Sequence, residues 1–335
     1  MSASFHARRD WFLGEAQRRA VRLTGDRLKT SAPEIKSAET ASVAAAPERL
    51  APSTPSDPTG IDAYKPEEIA RRIETAGVAK AKLPLRSLLA LGGLAGAFIS
   101  IGALFYLAVL TGADPMHGPT RFVAGIAFSL GLILVIVGGA ELFTGNTLLV
   151  MGWVDGLVTT RALLRNWLIV FFANLVGALT LCLLAWMAGL HLGALGAMAA
   201  KIAAMKLTLS PTEMLARGIL CNALVCLAVW LSFGAHDVAS KILAIIPPIA
   251  AFVALGFEHC VANMFLLPFG LLAGASGDTV GLIRNIGWVT LGNIIGGAGG
   301  VALSYWAAYR APARSTVVPS NPDANPAEPV SWQTR

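Results

Sequence analysis

From residue 88 to residue 309 the chain alternates long apolar stretches with short polar joints, which predicts helices that cross a bilayer rather than amphipathic surface helices. Six such stretches can be marked, at 88–110, 122–154, 163–190, 214–233, 242–273 and 282–309. The first carries Gly92, Gly93, Gly96, Ala97 and Gly102, small residues that let a neighbouring helix approach closely. The second and fifth are overlong. As one helix, 122–154 would reach about 50 Å against a hydrocarbon core of about 30 Å, so it must tilt strongly or break.

Both overlong stretches are interrupted by the same polar phrase. Gly139-Ala140-Glu141-Leu142-Phe143-Thr144-Gly145-Asn146 recurs as Gly256-Phe257-Glu258-His259-Cys260-Val261-Ala262-Asn263, with a carboxylate and an amide five residues apart each time. A second shared phrase follows: Arg165-Asn166 with Asn174 and Gly177, then Arg284-Asn285 with Asn293 and Gly296. Polar groups at membrane depth are costly and usually line a pathway. Paired interruptions in two halves of a chain mark a site at the interface between repeats. Three crossings per copy make the second copy inverted relative to the first. The fold class expected is therefore an all-α integral membrane protein with six transmembrane helices, built as an inverted 3+3 repeat with helices two and five broken.

Composition agrees with that class and limits the rest. Of 335 residues, 55% are hydrophobic and only 14% charged, too apolar for an ordinary soluble domain. More than half of the Lys, Arg, Asp and Glu residues precede Ser87, so a polar N-terminal region leads into an apolar body. The net charge of +6 is scattered or placed at segment ends, which fits orientation in a membrane and not nucleic-acid binding. Cys182, Cys221, Cys226 and Cys260 lie in apolar stretches without metal-type spacing and read as buried thiols. No metal site and no cofactor are expected.

Four domains follow. Residues 1–62 read as a polar, disordered cytoplasmic tail, whose basic start is alternatively an amphipathic helix on an anionic membrane surface. Residues 63–86 read as a cytoplasmic helix, because Pro66, Glu67 and Glu68 suit a helix start. Residues 87–310 form the transmembrane domain, and 311–335 a disordered cytoplasmic tail. Arg161, Arg165, Lys241, Lys80, Lys82, Arg86, Arg310 and Arg314 place both termini in the cytoplasm of a multi-pass inner (plasma) membrane protein. Arg121, Lys201, Lys206, Arg217 and Arg284 then fall on or near the outer side, as exceptions that invite a functional explanation.

With that topology, crossing two breaks near Thr144 and crossing five near Cys260, so two half-helix N-termini face one central region. Free N–H groups and positive dipole ends there favour an anion. Thr144 and His259 offer a hydroxyl and an imidazole at the two breaks. His259 is the one histidine inside an apolar stretch. A neutral ring would donate a hydrogen bond to an anion, whereas a protonated ring would pass it a proton. Glu141 and Glu258 read as acceptors for free backbone N–H groups at the breaks, with direct substrate contact as the other reading. Asn146 and Asn263 suit capping of the second half-helices. Asn174 and Asn293 suit bonds to the broken segments across the repeat. Phe128, Leu132 and Phe252 read as ordinary packing or as a dry constriction that blocks hydrated ions.

The phrases at 139–146, 166–178, 221–230, 256–265 and 292–297 closely resemble the formate/nitrite transporter family, over roughly residues 63–310. The resemblance implies an aquaporin-like fold and a homopentamer with one pore in each subunit. It also implies that His259 is the central pore histidine and that Thr144 faces it. Phe128, Leu132, Leu142 and Phe252 match constriction residues, Lys206 a lysine of the outer vestibule that draws in anions, and Asn222 a pore-side asparagine. Residues 64–82 resemble a segment that helps gate the cytoplasmic mouth in some members.

The function expected is proton-linked transport of a small monovalent anion, formate first, with nitrite, another monocarboxylate or hydrosulfide as the alternative. Its partners would be that anion, protons, the lipid bilayer and its own copies, and no nucleic acid. A water or glycerol channel is disfavoured by the lack of Asn-Pro-Ala triplets at the breaks. A membrane enzyme using Glu258 and His259 as an acid/base pair lacks an accompanying nucleophile, metal cluster or cofactor motif. A receptor or scaffold built on the N-terminal tail is the remaining class.

Overall fold

The computed structural model describes residues 62–310, so the tail readings for 1–61 and 311–335 lie outside the described residues. Ten helices make up the described chain: α1 (Pro66–Ala81), α2 (Leu85–Leu110), α3 (Gly118–Gly138), α4 (Gly145–Val154), α5 (Thr160–Met187), α6 (Gly193–Leu207), α7 (Pro211–Gly234), α8 (Val238–Ala254), α9 (Cys260–Leu272) and α10 (Thr279–Tyr309). Helices α2, α3, α5, α7 and α10 are each long and apolar enough to cross a membrane. Helices α8 and α9 together supply the remaining crossing, and α4 continues crossing two beyond its break.

Local chemistry sets the ends. Pro66 opens α1 with Glu67 and Glu68 in its first turn, where a helix dipole favours negative charge. Ser210 and Glu213 form a reciprocal capping box at the start of α7, while Thr159, Asp237 and Asp278 cap α5, α8 and α10. The two breaks follow glycines in the left-handed region. Gly139 at φ +78° ends α3, and Gly256 at φ +71° follows α8.

The repeat is larger than three crossings. Helices α1 to α5 and α6 to α10 correspond in order, so α1 is the opening helix of the first copy and α6, a helix that the sequence reading did not mark, opens the second. The same polar contacts prove the correspondence. Asn166 donates to the Lys80 carbonyl at 3.2 Å, and Asn285 to that of Lys206 at 3.1 Å. Arg165 reaches the carbonyl of Leu83, and Arg284 that of Leu207. The Arg-Asn phrase therefore ties each opening helix to the last helix of its copy.

Glycine governs the packing inside each copy, as expected where lipid is as apolar as leucine and close fit replaces hydrophobic drive. Helix α2 packs on α5 and α3, and α7 on α10 and α8. A methyl group at Gly96 or Gly177 would overlap the backbone of the opposing helix, and the same holds for Gly292 and Gly296. Large apolar side chains such as Leu168, Val176 and Leu183 remain exposed on the surface of the single chain.

Candidate anion pathway

Each break is held open by an asparagine from the last long helix of its copy. Asn174 accepts from the Phe143 N–H at 2.9 Å and donates to the Glu141 carbonyl at 2.9 Å. Asn293 does the same for the Cys260 N–H and the Glu258 carbonyl, also at 2.9 Å each. One side chain thus replaces the backbone partners that a broken helix loses. This contact lies within each copy and not across the repeat as the sequence suggested, because the last long helix of each copy packs beside its own break.

The carboxylates and the second asparagines do something the sequence reading did not assign. Asn146 and Asn263 cap no helix; they donate to Glu141 at 2.8 Å and Glu258 at 2.7 Å, and to Asn166 and Asn285. Neither glutamate needs backbone N–H groups at the break, because each also meets a lysine from the opening helix of its copy. Lys80 lies 2.9 Å from Glu141, and Lys206 lies 2.8 Å from Glu258. Placing α1 and α6 outside the repeat hid the pairing of these lysines with the glutamates; the shared signal was Lys followed shortly by Leu and Pro, at 80–84 and 206–211. Glu258 is committed to Lys206 and Asn263, and His259 bonds elsewhere, so the two do not form an acid/base pair.

The phrase register makes His259 the counterpart of Leu142, and Thr144 the counterpart of Val261. Their hydrogen bond, Thr144 Oγ1 to His259 Nε2 at 3.0 Å, therefore joins positions that the repeat does not equate. His259 also caps α9: its Nδ1 accepts the Ala262 N–H at 3.0 Å. A nitrogen that accepts carries a lone pair, so the neutral ring holds its proton on Nε2, and Thr144 Oγ1 is the acceptor. The Thr144 hydroxyl hydrogen is left to donate elsewhere. The Thr144 carbonyl is held by Thr147 at 2.7 Å and Asn222 at 3.2 Å. Asn222 also donates to the Asn293 carbonyl at 2.6 Å, so one side chain of α7 ties the first break to α10. A π-helical stretch at Ile295–Leu303 lets Gly297 approach so closely that a Cβ would overlap Thr147 and Asn222.

Two cavities approach this bond from opposite ends. The larger, about 520 Å³, opens on the α6 side and is lined by Lys206, Glu258, Phe128, Phe252 and His259. The smaller, about 190 Å³, opens on the α1 side and is lined by Lys80, Glu141, Asn146, Leu132 and Leu142. Phe128 and Phe252 meet edge to face at 5.5 Å, and Phe252 stacks on His259 at 6.1 Å. Thr144 and Asn222 line neither cavity and are fully buried, as are Asn174 and Asn293. Between the cavities stands a partition that includes the side chains of Phe128, Phe252, Leu132 and Leu142 beside the Thr144–His259 hydrogen bond. A ring N–H in such surroundings can donate to a small hydrogen-bond acceptor, whereas a hydrated ion would have to shed its water there.

A family model described as formate/nitrite transporter matches residues 67–307. The formate channel FocA of Escherichia coli strain K12 is 40% identical over 272 residues, covering 74% of this chain and 95% of that one. An uncharacterized transporter of Bacillus subtilis strain 168, YrhG, is 45% identical over 257 residues, covering 75% and 96%. Among solved structures, a pentameric formate channel with formate bound superimposes with a TM-score of 0.63 at 38% identity, covering 67% of this chain and 97% of that one.

Proposed function

The chain belongs to the formate/nitrite transporter family, a family of transporters rather than enzymes, and on that premise we propose that it carries a small monovalent anion, formate first, through one pore in each subunit of a homopentamer. The α6-side cavity is the outer vestibule and the α1-side cavity the inner one, a reading supported by Arg165 at the Leu83 carbonyl and Arg310 at Glu74, cations of the α1 side. Phe128, Phe252, Leu132 and Leu142 constrict the path, and Lys206 draws the anion in. The membrane is the inner (plasma) membrane with both termini in the cytoplasm, and nitrite is the second substrate reading.

The observation that carries this proposal is the Thr144–His259 hydrogen bond set between two cavities. Transport is proton-linked for a physical reason. A bare carboxylate in a dry partition pays a large desolvation cost, and the neutral acid does not. His259 supplies an N–H to the passing anion, and its Nδ1 is already occupied by Ala262. The accompanying proton therefore enters with the substrate from the vestibule.

Uptake of labelled formate into proteoliposomes, with a trapped pH dye, tests this. Uptake is expected to rise as external pH falls from 7.5 to 5.5, to acidify the lumen one proton per formate, and to collapse in His259→Ala. Undiminished uptake in that variant would remove the central role of His259. An electrogenic current without proton movement would remove the proton linkage. Nitrite competing better than formate would reverse the substrate order.

A further inference from the structure

Two arginines that the membrane charge rule leaves unexplained converge on one residue of the larger cavity wall. Arg121 stands in the first turn of α3 and Arg217 in the second turn of α7, and both line the cavity. Their guanidinium groups meet at Gly256, the left-handed residue three positions before His259. Arg217 Nη1 donates to the Gly256 carbonyl at 3.4 Å, and Arg121 Nη2 and Arg217 Nη1 lie 2.6 and 4.0 Å from the point a Gly256 Cβ would occupy. A side chain at Gly256 would displace both.

Neither guanidinium has a buried carboxylate partner. The carboxylate in the cavity wall, Glu258, is held by Lys206 at 2.8 Å. Arg217 has only Glu213, at 3.4 Å on an exposed helix face, where such a pair contributes little. Arg121 makes no side-chain hydrogen bond or ion pair among the described residues. It also sits at a helix N-terminus, where the dipole opposes a cation. Two like charges are thus brought to one point of the cavity wall with N–H donors left over, an arrangement suited to an anion.

The other copy of the repeat shows that the fold does not require this arrangement. The Glu258 N–H donates to the Arg217 carbonyl, and in the first copy the Glu141 N–H donates to the carbonyl of Leu91. Leucine satisfies the same backbone role. The guanidinium at 217 is therefore an addition to one end of the pathway.

We propose that Arg121 and Arg217 form an anion-capture station in the α6-side cavity, one that holds a small carboxylate across the two guanidinium groups before it reaches His259. Planar forks of N–H donors match a carboxylate and are poorly matched to a spherical halide. Cationic walls around a cavity also raise the local anion concentration and the entry rate. The station rests on the anion-transport reading of the same cavity, and it is separable from it by measuring binding as well as flux.

Saturation-transfer NMR of formate on the detergent-solubilised pentamer gives the dissociation constant, and proteoliposome uptake gives half-saturation and maximal rate. At low ionic strength, Arg121→Gln/Arg217→Gln is expected to weaken formate binding about tenfold and to raise half-saturation far more than it lowers the maximal rate. Arg217→Lys should recover only part of the affinity, and chloride should compete poorly. The difference from wild type should shrink at high salt. If the double variant fails to assemble, Arg217→Leu, which copies the other half, gives the answer with a weakening of about threefold. Unchanged affinity in either folded variant overturns the station. Wild-type binding that the variants lose, with no wild-type flux, overturns the transport reading and leaves the station standing.

Discussion

Ala262 gives its backbone N–H to Nδ1 of His259 at 3.0 Å, and that single bond decides which face of the imidazole the pathway meets. With Nδ1 spent on the cap of α9, the ring presents Nε2–H toward Thr144. A second proton on the ring would break the cap. The histidine is thereby held as a neutral donor by the helix it begins.

His259→Asn tests the two roles separately. Asparagine is a good N-cap, so the variant should keep its thermal midpoint near wild type, whereas His259→Ala should lose about 1 kcal/mol of helix-capping stability. Both should lose at least tenfold in formate uptake, because neither places a ring N–H at the partition. Melting of the purified pentamer alongside uptake reads both effects, and an asparagine variant that transports normally would contradict the assignment.

The two buried lysine–glutamate pairs should differ in cost. Lys206 and Glu258 are 15% and 3% exposed, whereas Lys80 is 32% exposed beside Glu141 at 5%. Removing one partner of a buried pair strands the other charge, at roughly 3–5 kcal/mol. Lys206→Met is expected near that range and Lys80→Met clearly below it. Adding Glu258→Gln to Lys206→Met should recover most of the loss, as denaturant or thermal unfolding of the solubilised protein will show.

Close glycine contacts predict a sharp positional pattern. Gly177→Ala and Gly296→Ala place a methyl into the opposing backbone and should cost 1–3 kcal/mol or about that order, or prevent assembly. Gly299→Ala meets open space and should be silent. Expression of pentamer by size-exclusion chromatography separates the two classes.

Midway along α1, Glu74 shares Arg310 with Asp155, at 2.7 and 3.7 Å. Burial, followed by its hydrogen bond with Asp155, pushes the Glu74 carboxyl up to about 7 against the opposing pull of Arg310. A carboxyl whose folded pKa is raised adds stability below its ordinary value near 4.5, and that stability is lost as pH rises through about 7. Hydrogen exchange in 66–81, corrected for intrinsic rates, should therefore quicken between pH 5 and 8. Glu74→Gln should flatten the profile; an unchanged slope in the variant would place the titration elsewhere.

Much of this was legible in the residues. Apolar stretches of membrane length marked the crossings, two overlong ones marked the breaks, and a carboxylate–amide phrase repeated at each break marked where the copies meet. Thr144 and His259 stood out because polar groups in apolar surroundings are expensive. The opening helices α1 and α6 were less legible as a pair. Their sequences share little beyond a lysine near the C-terminal end, and a repeat whose copies have diverged leaves its trace in contacts more than in letters.

Hydropathy and the duplicated phrase are local properties of the chain, and by themselves they determined the class, the crossings, the inversion and the residues at the breaks. Pairing is not local. That Asn146 and Asn263 bind carboxylates and cap nothing, that Lys80 and Lys206 neutralise those carboxylates, and that His259 meets Thr144 and not its own neighbour Glu258, were decided only by the tertiary structure. Each buried polar atom must find a partner, several are within reach, and only the packed helices determine which one lies at bonding distance.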